Sequence, residues 1–225
     1  MSKCEQCIAR QLNSLNAMTS DELKDVVSCK TTRFYKKGDV IFDEGESLHG
    51  VYCVRSGVCK LTKLSANGKD HTVKLLGKGE LLGQRSVISD ERTNLSAIAL
   101  NDIELCFVPK EQIMTPLHQN HNFSFDVLQQ LAKDLRNAED DLITMAQKSV
   151  KQRMAETLLY IQRVFGMDES GSLNVILSRE DYASIVGTAT ESAIRILSQF
   201  KKEGLIGTSG KHITIKDLEG LRRVE

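Results

Sequence analysis

Between residues 32 and 109 the apolar positions recur in short alternating segments, DVIFDEG, GVYCVRSG, VCKLTKL and HTVKLLG. Glycines punctuate them at Gly38, Gly45, Gly50, Gly57, Gly68, Gly77, Gly79 and Gly83. Alternation at period two, bounded by turn formers, is the pattern of half-buried strands, and its regular spacing predicts a barrel or jelly roll. Asn67-Gly68 is the dipeptide best suited to a two-residue hairpin turn, which needs positive φ at both central positions. A short amphipathic helix is predicted ahead of the strands, over 20–27. The period changes near residue 123. Leu128, Leu131, Leu135, Ala138, Leu142 and Met145 recur at alternating three- and four-residue steps, which predicts a long helix over 123–147 carrying an a/d seam. In a parallel pair of such helices Asp134 falls at g and faces Glu139 at e of the partner. These like charges weaken the seam, and a marginal dimer helix suits a gated switch.

The run from 177 to 206, LSREDYASIVGTATESAIRILSQFKKEGLI, predicts a helix, a tight turn and a second helix. Ser178 with Asp181 forms a capping box, and Gly187 can take the left-handed conformation that closes a helix. Thr188 with Glu191 reads as a second capping box. Ala193, Ile196, Leu197 and Phe200 repeat at helical spacing on one apolar face. Thr190, Glu191, Ser192 and Arg195 then point outward from the first turns. A guanidinium can bond guanine O6 and N7 together, and a carboxylate accepts from cytosine N4. Lys201 and Lys202 can reach phosphates. LIGTSGKHITI alternates around Gly207 and Gly210 as a hairpin wing, with Lys211 and His212 at its tip as candidate backbone contacts. The predicted class is α+β: an N-terminal β-roll over 1–122, a dimerisation helix over 123–147, and a winged helix-turn-helix over 148–225.

Composition changes this picture little. The 225 residues carry 30 Lys and Arg against 30 Asp and Glu, so bulk charge draws the chain neither to DNA nor to acidic membranes. Specific base contacts and dimerisation must then carry more of the binding. No apolar run approaches transmembrane length and MSKCEQC is not a signal peptide, so the expected compartment is the cytoplasm. No nucleophile–base constellation, phosphate-binding loop or paired acid motif appears, and the chain does not read as an enzyme.

KKGDVIFDEG (36–45), VRSGVCKL (54–61) and TESAIRIL (190–197), set in the order roll, long helix, winged helix-turn-helix, resemble the cAMP receptor protein/FNR (Crp/Fnr) family of bacterial transcription regulators. The resemblance covers nearly the whole chain. It implies a homodimer that reads an inverted repeat of TGA-like half-sites through an E-x-x-x-R recognition helix, matched here by Glu191 and Arg195, and it implies contact with RNA polymerase. Where the cAMP receptor has an arginine before the glutamate, this chain has Thr190, so flanking base preference lies nearer to FNR-type sites. In cyclic-nucleotide-binding members a Gly-Glu pair and a later Arg-Ser or Arg-Thr grip ribose and phosphate. Here Gly83-Gln84 and Arg92-Thr93 stand nearest to those positions, with Arg92 one residue early, and Ala138 and Glu139 replace the adenine-contacting Thr-Ser. These departures argue against cAMP.

Among the six cysteines, Cys4-x-x-Cys7 together with Cys106 in ELCFVP resembles the iron–sulfur ligand set of FNR. Thiolates suit such clusters because they are soft and charged. The third cysteine of that set is missing, since the matching interval lands on Asn13. Cys29 is an alternative fourth ligand if the N-terminal segment folds back on the roll. Cys53 and Cys59 read as small apolar strand residues. Direct thiol oxidation or a zinc clip stays open beside the cluster. Haem-binding members also exist in the family, and His49, His71, His118 and His121 show no spacing that marks an axial ligand. A ligand-binding module without promoter-specific DNA binding is the alternative from a different class.

Overall fold

The computed structural model describes residues 8–65, 68 and 70–224. These form two compact units, the first ending at Asn137 and the second taking Leu64–Val73 together with the chain from Ala138 onward.

The first unit is built on two antiparallel four-stranded sheets. One has the order β1 (Thr31–Tyr35), β8 (Ile103–Pro109), β3 (Gly50–Ser56), β6 (Leu81–Leu82), and the other β2 (Val40–Phe42), β7 (Ser96–Ala99), β4 (Cys59–Leu64), β5 (Asp70–Leu76). Strands distant in sequence lie side by side, as in a roll. Strand β3 is buried over five consecutive residues, Gly50 to Val54, because both of its faces are covered. Gly50 is required there: a Cβ would meet Val108 O at 2.3 Å. Val51, Val54, Leu82, Leu105 and Val108 fill the core, each side chain of this size contributing about 1.5–3 kcal/mol when fully buried. The hairpin turn expected at Asn67-Gly68 falls partly outside the described residues; Gly68 itself has φ +77°.

Short helices close this unit. α1 (Ile8–Gln11) and the 3-10 turn η1 (Ser14–Ala17) precede α2 (Ser20–Cys29), two residues longer than the predicted 20–27, because a Thr19/Glu22 capping box starts it and Cys29 completes its last turn. α3 (Gln84–Ser89) interrupts the β region, and α4 (Glu111–Gln119) follows β8.

α5 spans His121–Gln147 and carries two apolar faces. Phe123 and Val127, four residues apart, are buried in the roll core, and Leu131 packs against the same core. Leu131 is thus partly buried on the roll side of the helix. Its step from Val127 continues the inner face, whereas Leu128, Leu135 and Leu142 are 62%, 63% and 71% exposed and recur every seven residues.

The second unit packs α6 (Val150–Phe165), α7 (Arg179–Val186), α8 (Thr190–Lys202) and α9 (Leu218–Arg222) with the hairpin β9 (Ile206–Ser209)–β10 (His212–Ile215). Met154, Leu158, Ile161, Tyr182, Leu197 and Phe200 fill its centre, and burial holds the Tyr182 phenol above its ordinary range. No helix among the described residues is long and apolar enough to cross a membrane.

Candidate nucleic-acid interface

The predicted turn between two helices is present, with one correction. Ser178 Oγ accepts from Asp181 N at 3.0 Å while Asp181 Oδ2 accepts from Ser178 N at 2.9 Å, the capping box that starts α7. Gly187 closes it with φ +66°, and Thr188 N reaches back to Ala183 O at 3.0 Å. That backward bond keeps Thr188 in the turn. The N-cap of α8 is consequently Ala189, which has no capping side chain, and the Thr188/Glu191 box does not form.

α8 buries Ala193, Ile196, Leu197 and Phe200, the face its spacing predicts. Glu191 and Arg195 are exposed and one turn apart on the opposite side, with Thr190 and Ser192 half-buried beside them. A carboxylate in the first turn is favoured by the helix dipole, so Glu191 also stabilises the uncapped start of α8. Lys201 and Lys202 end the helix in solvent. The wing turns at Gly210, φ +58°, placing Lys211 and His212 exposed at its tip.

Three residues that pattern reading did not single out fix this frame. Arg179, the first residue of α7, donates from Nη2 to Gly210 O at 3.2 Å and so ties the helix-turn-helix to the wing tip. Arg153 on α6 donates to carbonyls at the ends of α5 and α7. Ser184 on α7 accepts from Thr72 N at 2.7 Å and donates to Asp70 O at 2.8 Å, holding Leu64–Val73 within the second unit. Long-range polar partners of this kind leave no periodic trace.

In the first unit, the residues nearest to a nucleotide-gripping cassette are committed elsewhere. Thr93 is buried and its hydroxyl donates to Asp43 O at 2.6 Å, while exposed Arg92 donates to Gly45 O at 3.1 Å. Gly83 is the left-handed N-cap of α3 and Gln84 its first residue. These partners do not fit a phosphate grip by Arg92 and Thr93.

Cys4 and Cys7 lie outside the described residues. Cys106 is buried on β8 directly opposite Cys53 on β3, and Ala9 packs against both. Cys53 is a buried strand residue, as its pattern predicts, and is the cross-strand neighbour of Cys106. Cys29 sits exposed at the end of α2 with Ser28 Oγ 3.4 Å from its sulfur. Asn13, where FNR carries its third cysteine, is an N-cap whose Oδ1 accepts from Leu15 N at 3.0 Å. Its amide nitrogen donates to Gly79 O at 2.8 Å, Ala9 O at 3.0 Å and Cys53 Sγ at 3.4 Å. An amide so engaged is not placed to supply a third cluster ligand. Buried Cys59 is a different case: desolvation, then the charge of Glu80, pushes its thiol up to about 12.

Comparison with known proteins agrees with this architecture. Residues 32–120 match the cyclic nucleotide-binding domain and residues 152–224 the Crp-like helix-turn-helix domain. The chain is 28% identical over 204 residues to the anaerobic regulatory protein of Bacillus subtilis, covering 88% of this chain and 86% of that one. It is 26% identical over 191 residues to a CRP-like cAMP-activated global transcriptional regulator of Mycobacterium tuberculosis, covering 84% and 85%. The structure of FixK2 from Bradyrhizobium japonicum superimposes with a TM-score of 0.78 at 25% identity, over 87% of this chain and 97% of that one. With both domains matched in their order along the chain, and a helix-turn-helix built as the sequence predicts, the protein belongs to the Crp/Fnr family of transcriptional regulators.

Proposed function

We propose that the protein is a homodimeric, sequence-specific regulator that reads an inverted repeat of TGA-like half-sites, with its activity gated through the thiols of the N-terminal domain. The observation that carries this reading is the pair Glu191 and Arg195, exposed one turn apart at the start of a helix whose other face is buried. In a major groove the guanidinium bonds guanine O6 and N7, and the carboxylate accepts from cytosine N4. Thr190 and Ser192 flank that reading pair, and Lys201, Lys202, Lys211 and His212 surround it as groups that position the duplex without reading it. RNA polymerase is the further partner expected of a family member.

The exposed stripe Leu128, Leu135, Leu142 and Met145 supplies the second copy's contact, with Ala138 between them. Two recognition helices related by a two-fold axis would meet half-sites about one helical turn apart, 10–10.5 base pairs. A signal that shifts the dimer-helix equilibrium changes that spacing. The commitments of Arg92 and Thr93 and the replacement of the adenine contacts favour thiol chemistry over cAMP as the signal.

DNase footprinting on duplexes carrying an inverted repeat of TGA tests the reading. Protection of both half-sites that survives excess non-specific DNA supports it. Salt-sensitive binding indifferent to sequence would instead make the chain a ligand-binding module without promoter specificity.

A further inference from the structure

Ile194 is 46% exposed on α8, where every other apolar side chain, Ala193, Ile196, Leu197 and Phe200, is buried. At about 100° per residue it stands about 60° from Glu191 and about 110° from the middle of the buried face, so it borders the side that carries Glu191 and Arg195. It directly precedes Arg195, and its Cβ lies about 5–6 Å from those of Thr190 and Glu191, one turn back. Nothing in the local physics of the helix calls for isoleucine here. A β-branched side chain at a solvated position lowers helix propensity relative to alanine or leucine, in a helix whose N-cap Ala189 already gives no side-chain bond. Its neighbours on the outward face, Thr190, Glu191, Arg195 and Ser198, are all polar or charged. An apolar side chain among groups that meet a major groove has a single chemical match there. Thymine alone of the four bases presents a methyl group to that groove.

We propose that Ile194 is a specificity-determining residue that packs against the C5-methyl of a thymine close to the guanine·cytosine pair met by Glu191 and Arg195. This rests on the recognition-helix reading above and adds an apolar contact to it. Reach fixes which thymine can be met. Side chains one turn apart are about 5–6 Å apart and bases are spaced by about 3.4 Å along a strand, so Ile194 falls within about two steps of the pair its neighbours read. In a TGA half-site both pairs flanking the central G·C carry a thymine, one on each strand. The contact supplies a distinction that hydrogen bonds cannot make. Thymine and uracil offer the same O4 acceptor and differ only in the methyl, whose burial against Ile194 removes apolar surface from water on both sides.

The test uses the full chain and the duplex it enriches from a random-sequence pool, so that the site is the protein's own. Each thymine of the enriched half-site is replaced in turn by deoxyuridine, which deletes the methyl and keeps every hydrogen-bonding edge. Affinity is read by fluorescence anisotropy at fixed salt. The parent should lose about fourfold at one thymine position, and about 15-fold when both half-sites carry the change, as expected for one buried methyl-sized group per site. Ile194→Ala should bind the thymine and uracil duplexes equally, at about the parent's affinity for the uracil duplex. Its salt dependence should match the parent's, because no phosphate contact changes, and circular dichroism checks its fold. A parent indifferent to uracil at every position, or an Ile194→Ala protein that loses as much as the parent on the same substitution, overturns the proposal. A pool from which no sequence is enriched overturns it together with the sequence-specific reading. An enriched site without TGA, in which the thymine methyl and Ile194 are still coupled, sinks the TGA reading alone and leaves Ile194 in its role.

Discussion

Arg153 Nε donates to Val186 O at 2.9 Å, joining α6 to the last carbonyl of α7. Its Nη1 donates to Lys148 O at 2.7 Å and Met145 O at 3.3 Å, so the same guanidinium holds the end of α5. Helix C-termini leave carbonyls without intrahelical partners, and one planar cation here satisfies two such ends. Arg153→Ala should cost roughly 2–3 kcal/mol, in the range for hydrogen bonds to a charged group. Arg153→Lys should recover only part of this, because a single ammonium cannot serve diverging carbonyls. Urea unfolding checks both, and an unchanged midpoint for the alanine variant would mean water replaces the guanidinium without loss.

Arg195 and Lys201 share a helix but are assigned different work, and the difference can be measured. Arg195→Ala should lose about 1–3 kcal/mol of specific binding and relax preference at the guanine it reads. Lys201→Ala should weaken binding evenly across sequences and reduce the salt slope by about 1. Competition titrations against single-base variants of the half-site distinguish the two. Equal discrimination by the Arg195→Ala protein would remove Arg195 from the reading face.

What was legible in the sequence is what local physics encodes. The Ser178 capping box, the Gly187 closure, the buried face of α8 and the wing around Gly210 all follow from short-range spacing, and all are present. The start of α8 was misread by one residue because Thr188 has a partner in the preceding helix, Ala183 O, which outweighs its capping propensity. That Leu131 also packs against the roll was not legible, because heptad spacing cannot say which of two apolar faces meets the chain's own core. The pairing of Cys53 with Cys106 was not legible for a related reason. The two are 53 residues apart, and only the register of β3 on β8 brings them together.

Leu135 is 63% exposed midway along the outward stripe of α5 and is the best single probe of self-association. Burying a leucine contributes about 1.5–3 kcal/mol, and each dimer buries two. Leu135→Glu should therefore raise the dimer dissociation constant by at least about 100-fold. Sedimentation velocity across a concentration series checks this. The structure also revises the expected repulsion at this seam: Lys74 Nζ lies 3.2 Å from Asp134 Oδ1, which offsets part of the charge that would oppose a partner's Glu139. Glu139→Lys should accordingly tighten the dimer only modestly, and a protein that dimerises no more tightly at any salt would show that the Glu139 charge does not burden the seam.

Cys29 and Cys59 make an internal pair of controls for thiol reactivity. Only the thiolate attacks an alkylating reagent, and only where the reagent can reach it. Cys29 is exposed at the end of α2. Cys59 is fully buried in β4, and burial, reinforced by the negative charge of Glu80, raises its thiol from 9.0 to about 12. Iodoacetamide at pH 8 should therefore modify Cys29 in the native protein and leave Cys59 untouched until the chain unfolds, as peptide mass mapping would show. The same shift fixes a sign for stability. Below pH 9 the Cys59 thiol is protonated in both states and contributes no pH dependence. Above it the unfolded chain loses the proton first, so the folded state loses stability as pH rises from about 9 toward 12. Cys59→Ala should flatten that alkaline decline relative to the parent, at the cost of a small cavity at neutral pH. Modification of Cys59 in the native state at the rate of Cys29 would show that β4 opens readily, and would move the burial argument from the thiol to the strand.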